Sequence, residues 1–327
     1  MDTLYKVSSG KQVNLPYVYP EMYGAVGNGV INDYPAFQQM FSGGNKVIVL
    51  RSGASYLING NINVYSNTIV VGNGALIDAK KTPFIIGEGG DYAYLYDGSS
   101  NVELRNIRIN MNNINTDHII MAHAQNVRII DCEFIDNNEH SIELNSSKNV
   151  TIDNCVFTSI APNRANKEAI NIDPASKGYT LNMGYFDDTI SDCVKITNCL
   201  FENCWSPVGN HNPVTTYPSR NIIFAHNDVR SCYNGLHLFD YPNISIVDNK
   251  FFDIANIGVQ MTGTKNVHII GNVFDTVGAL VSIEGADQNI VIAENIGNTQ
   301  AETPIVIGAN ATNVLVHDNI INDVIVN

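Results

Sequence analysis

The sequence predicts an all-β fold: a single-stranded right-handed parallel β-helix with a short capping helix at its N-terminal side. Three observations carry this. First, one phrase recurs along the chain, as "NVTIDNCVF" at 149–157, "NISIVDNKFF" at 243–252, "NVHIIGNVF" at 266–274 and "NIVIAEN" at 289–295. Its first asparagine marks a phase at Asn101, Asn126, Asn149, Asn221, Asn243, Asn266, Asn289 and Asn313, with most gaps between 22 and 25 residues. The long gap after Asn149 holds a further copy that begins at Cys193. Second, apolar and polar residues alternate within each copy, which marks strands with one buried face. Third, the copies are rich in β-branched residues and lack a 3.6-residue period. Three short strands per period of about 23 residues make one coil of a solenoid, in which equivalent residues stack.

The elements follow in order. Residues 1–45 are expected to form an N-terminal segment and cap, and 46–327 the β-helix. In "MYGAVGNGVINDYPAFQQMF", Asn32 and Asp33 start a helix, Pro35 sits in its first turn, and Phe37, Met40 and Phe41 give it an apolar face. Gly24, Gly27 and Gly29 have the look of a phosphate loop, but no βαβ unit follows them. Six residues after each phase mark comes a ladder of Cys132, Cys155, Cys199, Asn227, Asn249, Asn272, Asn295 and Asn319. Two residues further stand Phe134, Phe157, Phe201, Phe251 and Phe274, an expected ring stack. Cys132, Cys155 and Cys199 share that ladder, Cys204 and Cys232 share another phase, and the six cysteines read as reduced, buried fillers.

Composition narrows the function. The 327 residues carry 18 Lys and Arg against 32 Asp and Glu, a net charge of −14, which disfavours nucleic acid as a partner. No apolar run is long enough to cross a membrane as a helix. The first residues lack the basic start and apolar core of a signal peptide.

The stretch "YGAVGNGVINDYPAFQQMF", followed by "VIVLRSGASYLINGNINV", resembles the opening motif of pectate-lyase-like (pectin-lyase-fold) β-helix proteins, especially phage tailspikes and polysaccharide depolymerases. Asn28 stands where that family usually has Asp, and "RSG" where Pro-x-Gly is common. The resemblance covers nearly the whole chain. It implies a polysaccharide partner and an extracellular or virion location, and makes a homotrimer the assembly to look for, although no trimerisation segment is visible. Because the fold hosts lyases, hydrolases, epimerases and adhesins, the chemistry has to come from the residues.

Stacking allows the outer wall to be computed. With Ile142/Leu144, Ile170/Ile172, Leu236/Leu238 and Val259/Met261 pointing inward, one outward column reads Glu143, Asn171, Gly209, His237, Gln260, Ser282. The next reads Asn145, Asp173, His211, Phe239, Thr262, Glu284. Ionisable groups gather on neighbouring coils, beside insertions at 174–192 and 212–220, where loops build binding walls. Glu143 and Asp173 lie one coil and two residues apart, about 8 Å between Cα atoms at strand spacings. That suits the carboxylate pair of a glycosidase and leans toward inversion. His211 falls beside Asp173 as an acid or base near neutral pH, with His237 and Glu168 as further catalytic candidates. His140 reads as structural or exposed. For substrate binding the candidates are Asn145, Asn171, Asp240 and the aromatic residues Trp205, Phe239 and Tyr241, whose rings offer flat faces to sugars. Lys167 and Arg230 are cations that would neutralise an acidic sugar.

The expected function is a polysaccharide depolymerase of glycoside hydrolase type. The alternatives are a lyase or C5-epimerase acting on uronic acids through His211 or a tyrosine, and a non-catalytic glycan-binding fibre. No cofactor is expected; the one ion with candidate ligands is calcium, at Asp187, Asp188 and Asp192, whose spacing lacks the EF-hand pattern.

Overall fold

The computed structural model describes residues 15–87, 93–176, 186–210, 216 and 218–326, together with the backbone of two short strands at Tyr5–Lys6 and Gln12–Val13. The chain forms a right-handed parallel β-helix. Its coils present three strand positions, which stack into three sheets. The first sheet runs through Gln125–Ile130, Lys148–Asp153, Asp192–Thr197, Arg220–Ala225 and Pro242–Val247. The second includes Glu133–Asn137, Val156–Ile160, Leu200–Glu202 and Asp228–Arg230. The third carries Phe84–Ile86, Ile119–Ala122, Ile142–Asn145, Glu168–Asp173, Ser206–Gly209 and Leu236–Phe239, and continues to Ile305–Ile307. All pairings between successive coils in these sheets are parallel.

One hydrophobic core runs the length of the solenoid. Phe134, Phe157 and Phe201 stack with centroids 4.8 and 4.6 Å apart, and Phe251 stacks on Phe274 at 4.8 Å. In the coil between the two stacks the equivalent residue is Val229. There the ring of Phe224, from the neighbouring strand, supplies the missing bulk, 5.8 Å from Phe201 and 6.4 Å from Phe251. The expected inner ladder is also present. Asn249 Oδ1 accepts from the backbone N–H of Asn227, Asn272 Oδ1 from that of Asn249, and Asn295 Oδ1 from that of Asn272, each at 2.9 Å. The side chains bond along the same line, from Asn227 to Asn319. The phase-marking asparagines form a second, outer ladder, each adopting positive φ and bonding its neighbour's amide. A short polar side chain tolerates that conformation better than other L-residues. All six cysteines are free thiols and five are buried.

The N-terminal cap is continuous with this solenoid. Tyr17–Val18 pairs in parallel with Lys46–Val49, and Asn28–Asn32 with Ser55–Ile58. The helix Tyr34–Phe41 buries Ala36, Phe37, Met40 and Phe41 in the common core. Asp33 stands at its N-terminus, but the carboxylate turns back to accept the backbone N–H groups of Val26 and Gly27 at 2.7 and 3.1 Å. Those donors are what a phosphate loop would need, so the glycine-rich turn is tied internally. Gly27 has φ +63, and a Cβ there would lie 2.8 Å from Arg51 Nη2 and Tyr56 Cε1.

The inner ladder makes a testable energetic claim. Asn272→Ala leaves the buried backbone and side-chain N–H groups of Asn249 without their acceptor, so it is expected to cost at least about 2 kcal/mol. Asn266→Gly, on the outer ladder at φ +56, is expected to cost well under half as much, since glycine accepts that conformation. Urea denaturation of both variants checks this; equal midpoints would contradict it.

Candidate functional site

The third sheet sets the register of the outer wall. Glu143 pairs with Asn171, Asn171 with Gly209, Gly209 with His237, and His237 with Gln260. Asn145 pairs with Asp173, and Phe239 with Thr262. Both computed columns are therefore reproduced over the described residues. His211 lies outside them.

Asn171 is the centre of the cluster. Its Nδ2 donates to both carboxylate oxygens of Glu143 at 3.1 Å and to Asp173 Oδ2 at 2.9 Å. Asn145 Nδ2 adds a bond to Glu143 Oε1 at 2.8 Å. Since one nitrogen reaches both acids, their facing oxygens lie within about 6 Å of each other. Their nearest oxygens thus come closer together than the Cα spacing of about 8 Å. Asp173 is on the outer face yet only 1% exposed, whereas the Glu143 side chain keeps 16%.

Glu168 joins them from the corner that leads into the sheet. By alternation it should point inward like Ile170, but the corner turns its side chain over Gly209, where an added Cβ would lie 2.9 Å from Glu168 Cγ and 2.1 Å from the His237 carbonyl oxygen. His237 Nδ1 lies 3.4 Å from Glu168 Oε1, and the imidazole is held edge-on by Trp205 and Phe239, at 5.0 and 4.5 Å between centroids. His140 Nδ1 donates to the Glu168 carbonyl at 2.7 Å, and its Nε2 lies 3.6 Å from Glu143 Oε2. His140 is therefore a buried member of the cluster, and not exposed.

Two further acids flank the site. Glu139 takes Arg164 at 2.9 Å and Lys167 at 2.5 Å. Asp117 is pushed well above the usual carboxylate range by burial first and then by the Glu143 and Glu139 charges. Asp117, His140 and Glu168 each stand two residues before the registered Ile119, Ile142 and Ile170. This third, corner column is a signal in the sequence that alternation within the strands does not reach.

Other candidates are placed elsewhere. Tyr241 is a core residue, 1% exposed, and its hydroxyl donates to the carbonyls of Ile172 and Gly209 at 2.5 and 3.1 Å, so it offers no face to a sugar. Burial and the Asp173, Glu168 and Glu143 charges hold its hydroxyl protonated. Trp205 is 7% exposed and supports His237, while its stacking partner Tyr233, 48% exposed, is the ring that solvent reaches. Arg230 is on the second sheet, paired with Asp228. Lys167 is committed to Glu139. Phe239 is half-buried beside His237, and Asp240 lines a separate corner hollow of about 210 Å³ with Pro218 and Lys265. Three further tyrosines of the two insertions, Tyr179, Tyr185 and Tyr217, lie outside the described residues. The acids considered for calcium do not converge: Asp187 accepts from Leu95 and Thr189, Asp188 from Ser176, and Asp192 from Asn221 and Arg220.

A family model described as rhamnogalacturonase A/epimerase, pectate lyase-like, matches residues 21–260. The chain belongs to this pectate-lyase-like family. This member is similar to the plasmin and fibronectin-binding protein A of Streptococcus pneumoniae, at 27% identity over 77% of this chain and 38% of that protein. It is also similar to the preneck appendage protein of Bacillus phage PZA, at 22% identity over 75% of the chain and 32% of the relative. The chain thus spans about a third of the length of these curated relatives. Among solved structures, a tailspike of E. coli bacteriophage HK620 in complex with a pentasaccharide shares the fold, with a TM-score of 0.66 at 11% identity over 97% of this chain and 63% of that one. No helix among the described residues is long and apolar enough to cross a membrane.

Protonation of Asp117 gives a stability prediction. Its folded-state pKa lies above that of an unfolded aspartate, so the stability gained by holding the proton is complete below about pH 4 and is lost as pH rises through the folded value. Asp117→Asn removes that loss. The variant is expected to melt higher than the parent at pH 8, by about 2 °C or more, with the gain shrinking toward pH 4. A calorimetric pH series showing a constant or reversed difference would contradict the assignment.

Proposed function

We propose that this pectate-lyase-like chain acts on a polysaccharide outside the cell or on a virion, as a glycoside hydrolase that uses Glu143 and Asp173. The observation that carries the reading is the single amide of Asn171 shared by both carboxylates on the outer face of the solenoid. Hydrolysis of a glycosidic bond needs one carboxyl to protonate the leaving oxygen and a second on the other side of the anomeric carbon. Glu143, the more open of the two, is the group with access to that carbon, and Asp173 is the proton donor. Their closeness favours a double displacement with retention: Glu143 attacks as the C–O bond breaks, and water then releases the sugar as Asp173 takes back a proton. His237 and His140 brace Glu168 beside the pair.

The uronate lyase reading draws less support. It needs a base near C5 and a cation for the sugar carboxylate. Tyr241 is buried and held protonated, Lys167 and Arg164 both serve Glu139, and Arg230 is on another sheet. Five carboxyl groups, at Asp117, Glu139, Glu143, Glu168 and Asp173, stand beside these two committed cations. The adhesin reading is favoured by one observation, the near closure of Asp173 from solvent.

Two outcomes are expected. Glu143→Gln and Asp173→Asn should each lower the release of reducing ends at least about 100-fold with melting temperature retained; full activity in both removes the pair from catalysis. In a panel of polysaccharides, neutral or amino-sugar polymers should be bound and cleaved, and polyuronates left intact even at low ionic strength. Unsaturated products from a polyuronate would replace hydrolysis by elimination.

A further inference from the structure

His140 is the buried base of the acidic corner. It stands between Asp117 on the preceding coil and Glu168 on the next, each of the three two residues before the paired Ile119, Ile142 and Ile170. The residue is 3% exposed. Its backbone is fixed on both sides: the Asp117 carboxyl accepts its N–H, and its carbonyl accepts from Asn137 Nδ2 at 2.7 Å.

The two ring nitrogens have different tasks. Nδ1 lies 2.7 Å from the Glu168 carbonyl oxygen, which can only accept, so Nδ1 carries a hydrogen. The remaining nitrogen, Nε2, lies 3.6 Å from Glu143 Oε2. In a neutral ring with its hydrogen on Nδ1, Nε2 is a bare lone pair. That lone pair would face a carboxylate oxygen across a space that water hardly reaches, since the Glu143 side chain is 16% exposed. A hydrogen on Nε2 turns this repulsion into an ion pair.

The surroundings favour that hydrogen. Glu143 takes its amide hydrogens from Asn145 and Asn171, which are neutral. Among the described residues the His140 imidazole is the one basic group at ion-pair distance from it, because Lys167 and Arg164 are held by Glu139. The titratable groups packed around the ring among the described residues are Asp117, Glu143 and Glu168, the last with Oε2 3.8 Å from Nδ1. Burial by itself would favour a neutral ring. Two acids at 3.6 and 3.8 Å act the other way.

We propose that His140 is the positioning residue of Glu143. Bearing a hydrogen on both nitrogens, the ring holds the Glu143 carboxyl in its charged form with Oε2 turned toward it. This rests on the hydrolase reading for its use, since an attacking Glu143 has to be a carboxylate, and it adds the group that keeps it one.

The test reads the ring directly and needs no substrate. Protein labelled with 15N-histidine is studied by two-bond 1H–15N correlation at about pH 6.5, where an ordinary imidazole is half protonated. His140→Asn identifies the signals; its amide can keep the bond to the Glu168 carbonyl but lacks a nitrogen facing Glu143. In the parent both His140 nitrogens are expected to carry hydrogen in most molecules, and Glu143→Gln should lower that doubly protonated fraction at least about twofold. A bare Nε2 in the parent, or the same fraction in both proteins, would overturn the pairing. On a polysaccharide that the parent cleaves, His140→Asn is expected to lower kcat about tenfold or more with KM retained; an unchanged kcat would overturn the positioning role. A protein that cleaves nothing in the panel loses the hydrolase reading, and the spectra still decide the pairing.

Discussion

Parallel hydrogen bonding between coils, held in register over the whole solenoid, is the constraint from which the site follows. Because Ile142 pairs with Ile170 and Ile170 with Val208, residues dozens of positions apart become lateral neighbours about 4.8 Å away. Glu143, Asn171 and His237 meet for this reason alone. The register is enforced twice over: the buried Asn227–Asn319 ladder satisfies backbone groups that a slipped coil would orphan, and the phenylalanine stacks penalise any shift of the core. A one-residue slip would also send Glu143 and Asn171 inward.

Within that frame, charge is gathered where the scaffold can hold it. Like charges crowd around Glu143 and are offset locally: Asn145 and Asn171 donate to Glu143, Arg164 and Lys167 neutralise Glu139, and burial with the neighbouring charges favours the neutral form of Asp117. Such an arrangement is costly to a fold that needs only a solvated face. Further along the third sheet the outward residues are Gln260, Thr262 and Ser282, with Glu284 as the acid that Gln260 and Ser282 hold. Carboxyl groups beside two histidines, on one wall of a rigid solenoid, are the residue types that acid–base chemistry uses.

Much of this was legible in the sequence because a β-helix writes its geometry as period and alternation. Eight asparagines fixed the register, and alternation from Ile142 and Leu144 fixed which neighbours face out. Corners obey neither rule. Glu168 shares the parity of inward Ile170 yet lies over Gly209, and His140 enters the cluster from the corner of the preceding coil, so strand alternation gives the placement of neither, although Glu168 was already a catalytic candidate. Aromatic character alone did not distinguish a sugar platform from packing: Tyr241 proved to be core, Trp205 a brace for His237, and Tyr233 the exposed ring. The gap at Val229 was filled by Phe224 from an adjacent strand, a compensation visible only when the coils are stacked.

The central claim is that a glycan meets this protein over Glu143, Asn171 and His237 on the third sheet. The most direct measurement is a crystal structure of the Asp173→Asn protein with an oligosaccharide bound. The account predicts a sugar ring within hydrogen-bonding distance of Glu143. Sugar density confined to the first or second sheet, with the third sheet empty, would contradict it.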